Sequence, residues 1–239
     1  MNKTFTAQTF KYSFLRNGNI KLGDSMATWS TLMGSHDINI PELGQAVKGT
    51  CQNCAGCEKD CYVKKSYRYP SVKYSHARNT LGLRNAIDKV FKDLDAQLKK
   101  AKNKIKIVRL NQSGELENED QFGRWCRLAE NHPETKFYIY TKMYDLVIPG
   151  LLAGKVPSNF TILFSIWHDQ GAAEYEMVKH LKNVKAFIYD DGEDLTVEPK
   201  VYCAAYDSNG KLNHEETCQK CGKCYVNVDA WKEVGCKAH

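Results

Sequence analysis

The sequence predicts an α/β protein, a partial or complete TIM-like β/α barrel with a small cysteine-rich, metal-binding appendage at its C-terminal end. Three observations carry this. Short apolar runs alternate with amphipathic stretches through the middle of the chain, the connections between them are short, and nine of the 10 cysteines fall in two tight groups. Alternation with short connections indicates parallel βαβ units. Five or six such units suggest a barrel, with a doubly wound sheet as the alternative. The expected division is a core over 1–207, carrying a cysteine loop at 51–61, followed by a metal-held segment over 208–239.

Each element has its own signal. After Pro70, the positions Leu83, Ile87, Val90, Phe91, Leu94 and Leu98 step by three or four, predicting one long amphipathic helix. "IKIVRL" at 105–110 reads as the strand that follows. A second helix starts at Asn118–Gln121 and stops before Pro133, with Phe122, Trp125, Cys126 and Ala129 on one face. "KFYIYTK" (136–142), "FTILFSIW" (160–167), "VKAFIYD" (184–190) and "VYCAAYD" (201–207) are rich in Ile, Val, Tyr and Phe, as buried strands are. Shorter helices are expected at 143–153 and 171–182.

The chain has 239 residues, 42% hydrophobic and 26% charged, which is ordinary for a globular protein. No apolar run is long enough to predict a membrane-spanning helix. Residues 1–19 mix Lys3, Lys11 and Arg16 with scattered aromatics and lack the apolar stretch of a secretory signal. A cytoplasmic address is therefore expected, where cysteines serve metal or redox chemistry rather than disulfides. The net charge of +6 is compatible with nucleic-acid contact, and equally with a soluble surface rich in lysine.

The first cysteine group, Cys51, Cys54, Cys57 and Cys61, has the spacing C-x2-C-x2-C-x3-C in a polar, Gly-containing loop. Four thiolates so spaced suit an iron–sulfur cluster, whose separate irons each take one. Zinc, the second choice, prefers two C-x2-C pairs set farther apart. The second group, Cys218, Cys221 and Cys224, repeats the x2–x2 spacing and needs one more ligand, which Cys203 or Cys236 could supply. Cys126 lies on the apolar face of a helix and reads as a small core residue.

Several segments together resemble a known family. "KGTC" at 48–51, "CEKDCY" at 57–62, "RLNQSGEL" at 109–116, "FYIYTK" at 137–142, "SIW" at 165–167 and Cys203 followed by "TCQKCGKCY" are similar, in order, to the phage gene product 88 proteins. That family is distantly similar to the radical S-adenosylmethionine barrels. The resemblance implies iron–sulfur binding, with Cys51, Cys57 and Cys61 matching the family's first loop and Cys54 extra. It also selects Cys203 beside Cys218, Cys221 and Cys224, and places the protein in the cytoplasm of an infected host cell. The loop departs from the radical enzymes' C-x3-C-x2-C, offering the mirror spacing over 54–61.

Ser113, Gly114 and Glu115 follow a strand, at what would be the mouth of a barrel. The segment resembles the one with which radical enzymes grip the amino group of S-adenosylmethionine. Lys142, at the end of the next strand, is suited to a carboxylate or phosphate; the bland readings are that Glu115 merely starts the following helix and that Lys142 is solvated. Trp167, His168 and Asp169 end a third strand, while Tyr67, Arg68 and Tyr69 could line a pocket or a nucleic-acid surface. No nucleotide-binding or hydrolase motif is present. Two functions are therefore expected in competition. One is an enzyme doing one-electron or radical chemistry on a small molecule, served by an electron donor and two [4Fe–4S] clusters. The other is a non-catalytic module, stapled by iron–sulfur or zinc, that binds nucleic acid or a host protein.

Overall fold

A computed structural model describes residues 9–14, 21–54, 57–58, 61–101, 104–206, 213 and 215–237. The expectations for the N-terminal stretch before residue 9 and for most of 207–214 lie outside the described residues. Strand β1 (Met26–Trp29) is followed by an antiparallel hairpin of β2 (Asp37–Ile40) and β3 (Gln45–Lys48), which forms a separate two-stranded sheet. The cysteine loop and a short helix α1 (Val63–Ser66) lead into α2 (Pro70–Asn85) and α3 (Ile87–Lys100). Then come β4 (Ile107–Leu110), α4 (Glu119–Glu130), β5 (Lys136–Thr141), α5 (Tyr144–Leu152), β6 (Phe160–Trp167), α6 (Ala172–Val178) and β7 (Val184–Asp190). The chain ends in β8 (Val201–Tyr202), α7 (Cys218–Cys221) and β9 (Glu233–Lys237).

The main sheet has seven strands in the order β1-β4-β5-β6-β7-β9-β8, every pair parallel. The α/β class and the parallel strands of the sequence reading stand. The TIM-like barrel does not: the sheet is open, with β1 at one edge and β8 at the other. The physical reason lies in the last strand. Closure requires the final strand to bond β1, as eight β/α units allow. Here the run of β/α units ends at β7, and β9 inserts between β7 and β8, so it widens the sheet instead of closing it.

Because β4, β5, β6 and β7 follow one another across the sheet, each right-handed crossover steps the same way, and helices α2–α6 gather on one face. Alternation along the strands then divides the side chains. Ala27, Trp29, Val108, Leu110, Phe137, Ile139, Ile162, Phe164, Ile166, Ala186 and Ile188 point into the main core with Leu94, Trp125, Val147 and Tyr175 of the helices. Arg109, Tyr138, Tyr140, Ser165, Trp167, Phe187 and Tyr189 point the other way and line a cavity.

The long helix expected through Leu98 is two helices. Ala86, at φ −154° and ψ 43°, breaks the run after Gly82 and Asn85, both poor helix formers. The expected start of α4 is found, with the Asn118 side chain accepting from the Gln121 N–H at 2.9 Å. Among the described residues no helix is long and apolar enough to cross a membrane.

Candidate metal centre

The open face of the sheet and the carboxyl ends of its strands bound one cavity of about 1030 Å³. Open α/β sheets place ligands at this edge. Its lining contains Cys51, Cys54, Cys57, Cys61, Cys203, Cys218, Cys221, Cys224 and Cys236, nine of the chain's 10 cysteines. The tenth, Cys126, is buried in the main core, as its place on the apolar face of a helix predicts.

The first group is held by backbone bonds from three strand ends. Thr50 N–H donates to Leu32 carbonyl at 2.9 Å and Cys51 N–H to Gly34 carbonyl at 3.0 Å, fastening the link after β3 to the loop after β1. Thr31 N–H reaches Ser113 carbonyl at 3.0 Å, and Glu115 N–H reaches the Thr50 hydroxyl at 2.8 Å, adding the loop after β4. Cys61 lies 3.9 Å from the Met33 sulfur at the start of α1. Behind it Tyr67 turns inward instead of lining an outer surface. Its hydroxyl takes the Met33 N–H at 2.9 Å and meets Ser113 Oγ at 3.3 Å and His76 Nδ1 at 3.2 Å.

The second group is folded against the sheet by the stretch before β1. Cys218 N–H donates to Lys21 carbonyl at 2.7 Å and Gln219 N–H to Leu22 carbonyl at 3.0 Å, while the Thr217 side chain caps α7. Lys185, 1% exposed on β7, drives its ammonium into the Lys223 and Trp231 carbonyls at 2.8 and 3.0 Å. Burial lowers its pKa to about 8. It fastens the turn that carries Cys224 to the sheet. Lys185→Met would leave both carbonyls unpaired, at an expected cost of about 3 kcal/mol. Denaturant unfolding of the purified variant checks this, and unchanged stability would remove the clamp role.

The thiols show what each group does to its members. The Cys51 thiol donates toward Cys54, which holds Cys54 down to about 7 and pushes Cys51 up. Burial raises Cys57 and Cys61. In the second group, a hydrogen bond from Cys236 brings Cys203 down to about 5, and burial pushes Cys224 up to about 12. These are crowded, mostly neutral thiols in a desolvated place, and binding a cation would release their protons together. The donor chemistry is that of a soft-metal site.

Ser113, Gly114, Glu115 and Lys142 line the same cavity. Both carboxylate oxygens of Glu115 already accept from the chain, from Thr141 Oγ1 at 2.9 Å and from Lys142 N–H at 3.0 Å. Burial nevertheless raises its pKa to about 7. The Lys142 ammonium is inside, over the Trp167 ring at 4.7 Å, and approaches the Cys57 thiol without meeting hydrogen-bond geometry. His168 does not join the cysteines; it turns to Asp191 and Glu193 at 3.4 and 3.9 Å. Arg68 lies over the ring of Tyr69, which is exposed.

Sequence reasoning missed Arg109 and the Tyr138, Tyr140 and Tyr189 wall, and left Cys236 open. A cation between Val108 and Leu110 in a buried strand was the available signal, because a period-2 reading turns that one residue to the opposite face.

Comparison with known protein families finds that the family described as gene product 88 matches residues 9–227. The chain belongs to the gene product 88 family. The family match includes eight of the nine cavity cysteines and stops short of Cys236. No curated protein and no solved structure matches the chain. The further likeness to radical S-adenosylmethionine enzymes finds no support among these comparisons, and the open sheet removes the barrel on which it leaned.

Proposed function

We propose that this gene product 88 protein is an iron–sulfur protein with two [4Fe–4S] clusters facing one cavity. Cys51, Cys54, Cys57 and Cys61 would hold one cluster, and Cys203, Cys218, Cys221 and Cys224 the other. The observation that carries the reading is the convergence of nine cysteines, from loops far apart in the chain, on one cavity. Sulfur spacing favours clusters over zinc. Four thiolates on one zinc stand about 3.8 Å apart, given Zn–S near 2.3 Å. Among the described residues no three cysteine sulfurs lie within 4.8 Å of one another. A cubane gives each thiolate its own iron and so asks for no such close triad.

When bound, the clusters would supply one-electron transfer. The chain's own part is to exclude water with the Tyr138, Tyr140, Trp167 and Tyr189 wall, to hold the thiolates, and to present Ser113, Gly114, Glu115 and Lys142 toward a small molecule. Anaerobic purification followed by iron, sulfide and zinc analysis tests the reading. About 8 iron and 8 sulfide per chain is the expected result. Zinc without sulfide would overturn it and leave a stapled binding module. Adding S-adenosylmethionine to the dithionite-reduced protein tests the cofactor expectation. A changed electron paramagnetic resonance signal supports it, and an unchanged one removes that ligand while leaving the clusters.

A further inference from the structure

We infer that Lys142 and Arg109 are the counter-charges of the two metal centres, Lys142 for the N-terminal group and Arg109 for the C-terminal one, each raising the reduction potential of its own centre. The inference rests on the two-cluster reading above.

Both cations line the cavity, and neither has a carboxylate partner among the described residues. Lys142 is 6% exposed and its Nζ has no hydrogen-bond partner; the Nε of Arg109 is likewise shut off from water and unpartnered. What each has instead is an aromatic face. Lys142 Nζ stands 4.7 Å from the Trp167 ring centre and Arg109 Cζ 4.7 Å from that of Tyr140. For the buried Lys142 a desolvated cation–π contact contributes about 2 kcal/mol, whereas burying an unpaired charge costs several times that; Arg109 is half-buried. Glu115 feels the Lys142 charge but accepts a hydrogen bond from its backbone N–H and not from its ammonium. Neither cation is held in an ion pair among the described residues, and two thiolate-bound clusters are anions that would face them.

The two fields are divided. The charge on Lys142 bears on Cys54 and Cys57. That on Arg109 bears on Cys203, Cys218 and Cys224, with Lys21 acting beside it on Cys203 and Cys218. Reduction adds one electron, and so one negative charge, to a centre that is already an anion. A fixed cation beside it favours the reduced form more than the oxidised one, which raises the potential.

The test is a dithionite potentiometric titration followed by electron paramagnetic resonance, on wild type, Lys142→Met, Lys142→Arg, Arg109→Met and Arg109→Lys. Single-centre variants Cys57→Ser and Cys218→Ser assign the signals. Lys142→Met is expected to weaken reduction of the N-terminal centre at least tenfold, 59 mV for one electron, and to leave the other centre in place. Arg109→Met should do the reverse, and the charge-keeping exchanges should stay near wild type. Two clusters in every variant with unmoved potentials would overturn the inference while sparing the cluster reading. Wild type without iron and sulfide would remove the reading itself. If a methionine variant fails to load iron, loading by its charge-keeping counterpart supports the counter-charge role. Failure of both counts for packing alone and against the inference.

Discussion

Gly114→Ala is expected to destabilise the protein by about 3 kcal/mol, combining left-handed strain with overpacking. Gly114 has φ +78°, and a Cβ there would stand 2.1 Å from Thr31 Oγ1 and 2.6 Å from Thr50 Oγ1. Neither threonine can give way. Both are 1% exposed and hydrogen-bonded to each other at 3.0 Å, and Thr50 also binds Leu32 carbonyl and Glu115 N–H. The damage would fall on the junction that carries the first cysteine group. Gly123→Ala, inside α4 with only the Arg127 guanidinium near the new methyl, is the control and should gain about 0.5–1 kcal/mol. Denaturant midpoints of the two variants decide the matter. Equal stability of Gly114→Ala and wild type would sink the argument.

Cys57→Ser and Cys218→Ser should each remove about half of the iron, from about 8 to about 4 per chain, and together remove all of it. The groups are built by different elements, Cys57 in the loop between β3 and α1 and Cys218 at the start of α7, so one can empty while the other stays folded. Helical circular dichroism should persist, since α2–α6 pack in the core on the far face of the sheet. Iron analysis and circular dichroism on the same samples check this. Loss of all iron from either single variant would show one shared centre in place of two.

Spacing made the cysteine groups readable, since it is a local property of the chain. The strands β4, β5, β6 and β7 were readable for a similar reason: "IVRL", "KFYIYT", "FTILFSIW" and "VKAFIYD" are rich in apolar and aromatic residues. Closure of the sheet was not, because it depends on where one late strand docks. β9, "EVGCK", carries a Glu, a Gly and a Lys and reads as a loop. In the sheet Glu233 accepts from the Tyr175 hydroxyl at 2.7 Å and forms an ion pair with Lys200 at 2.7 Å. Arg109 and Lys185 escaped for the converse reason. On a half-exposed strand they would mark the solvent face, but here the cysteine-rich segment lies over that face, burying Lys185 and leaving Arg109 half-buried on the cavity wall.

The placing of β9 also sets an order of events during synthesis. β8 bonds to β9 and to no other strand, so residues 201–202 have no neighbour to dock on until 233–237 have left the ribosome. The Cys203 N–H likewise waits for the Gly235 carbonyl, 2.8 Å away in the finished sheet. β4, β5, β6 and β7 can form and pack earlier, each beside a strand already made. One side of the cavity is thus ready while the other is still being translated, and the two cysteine groups come of age at different times.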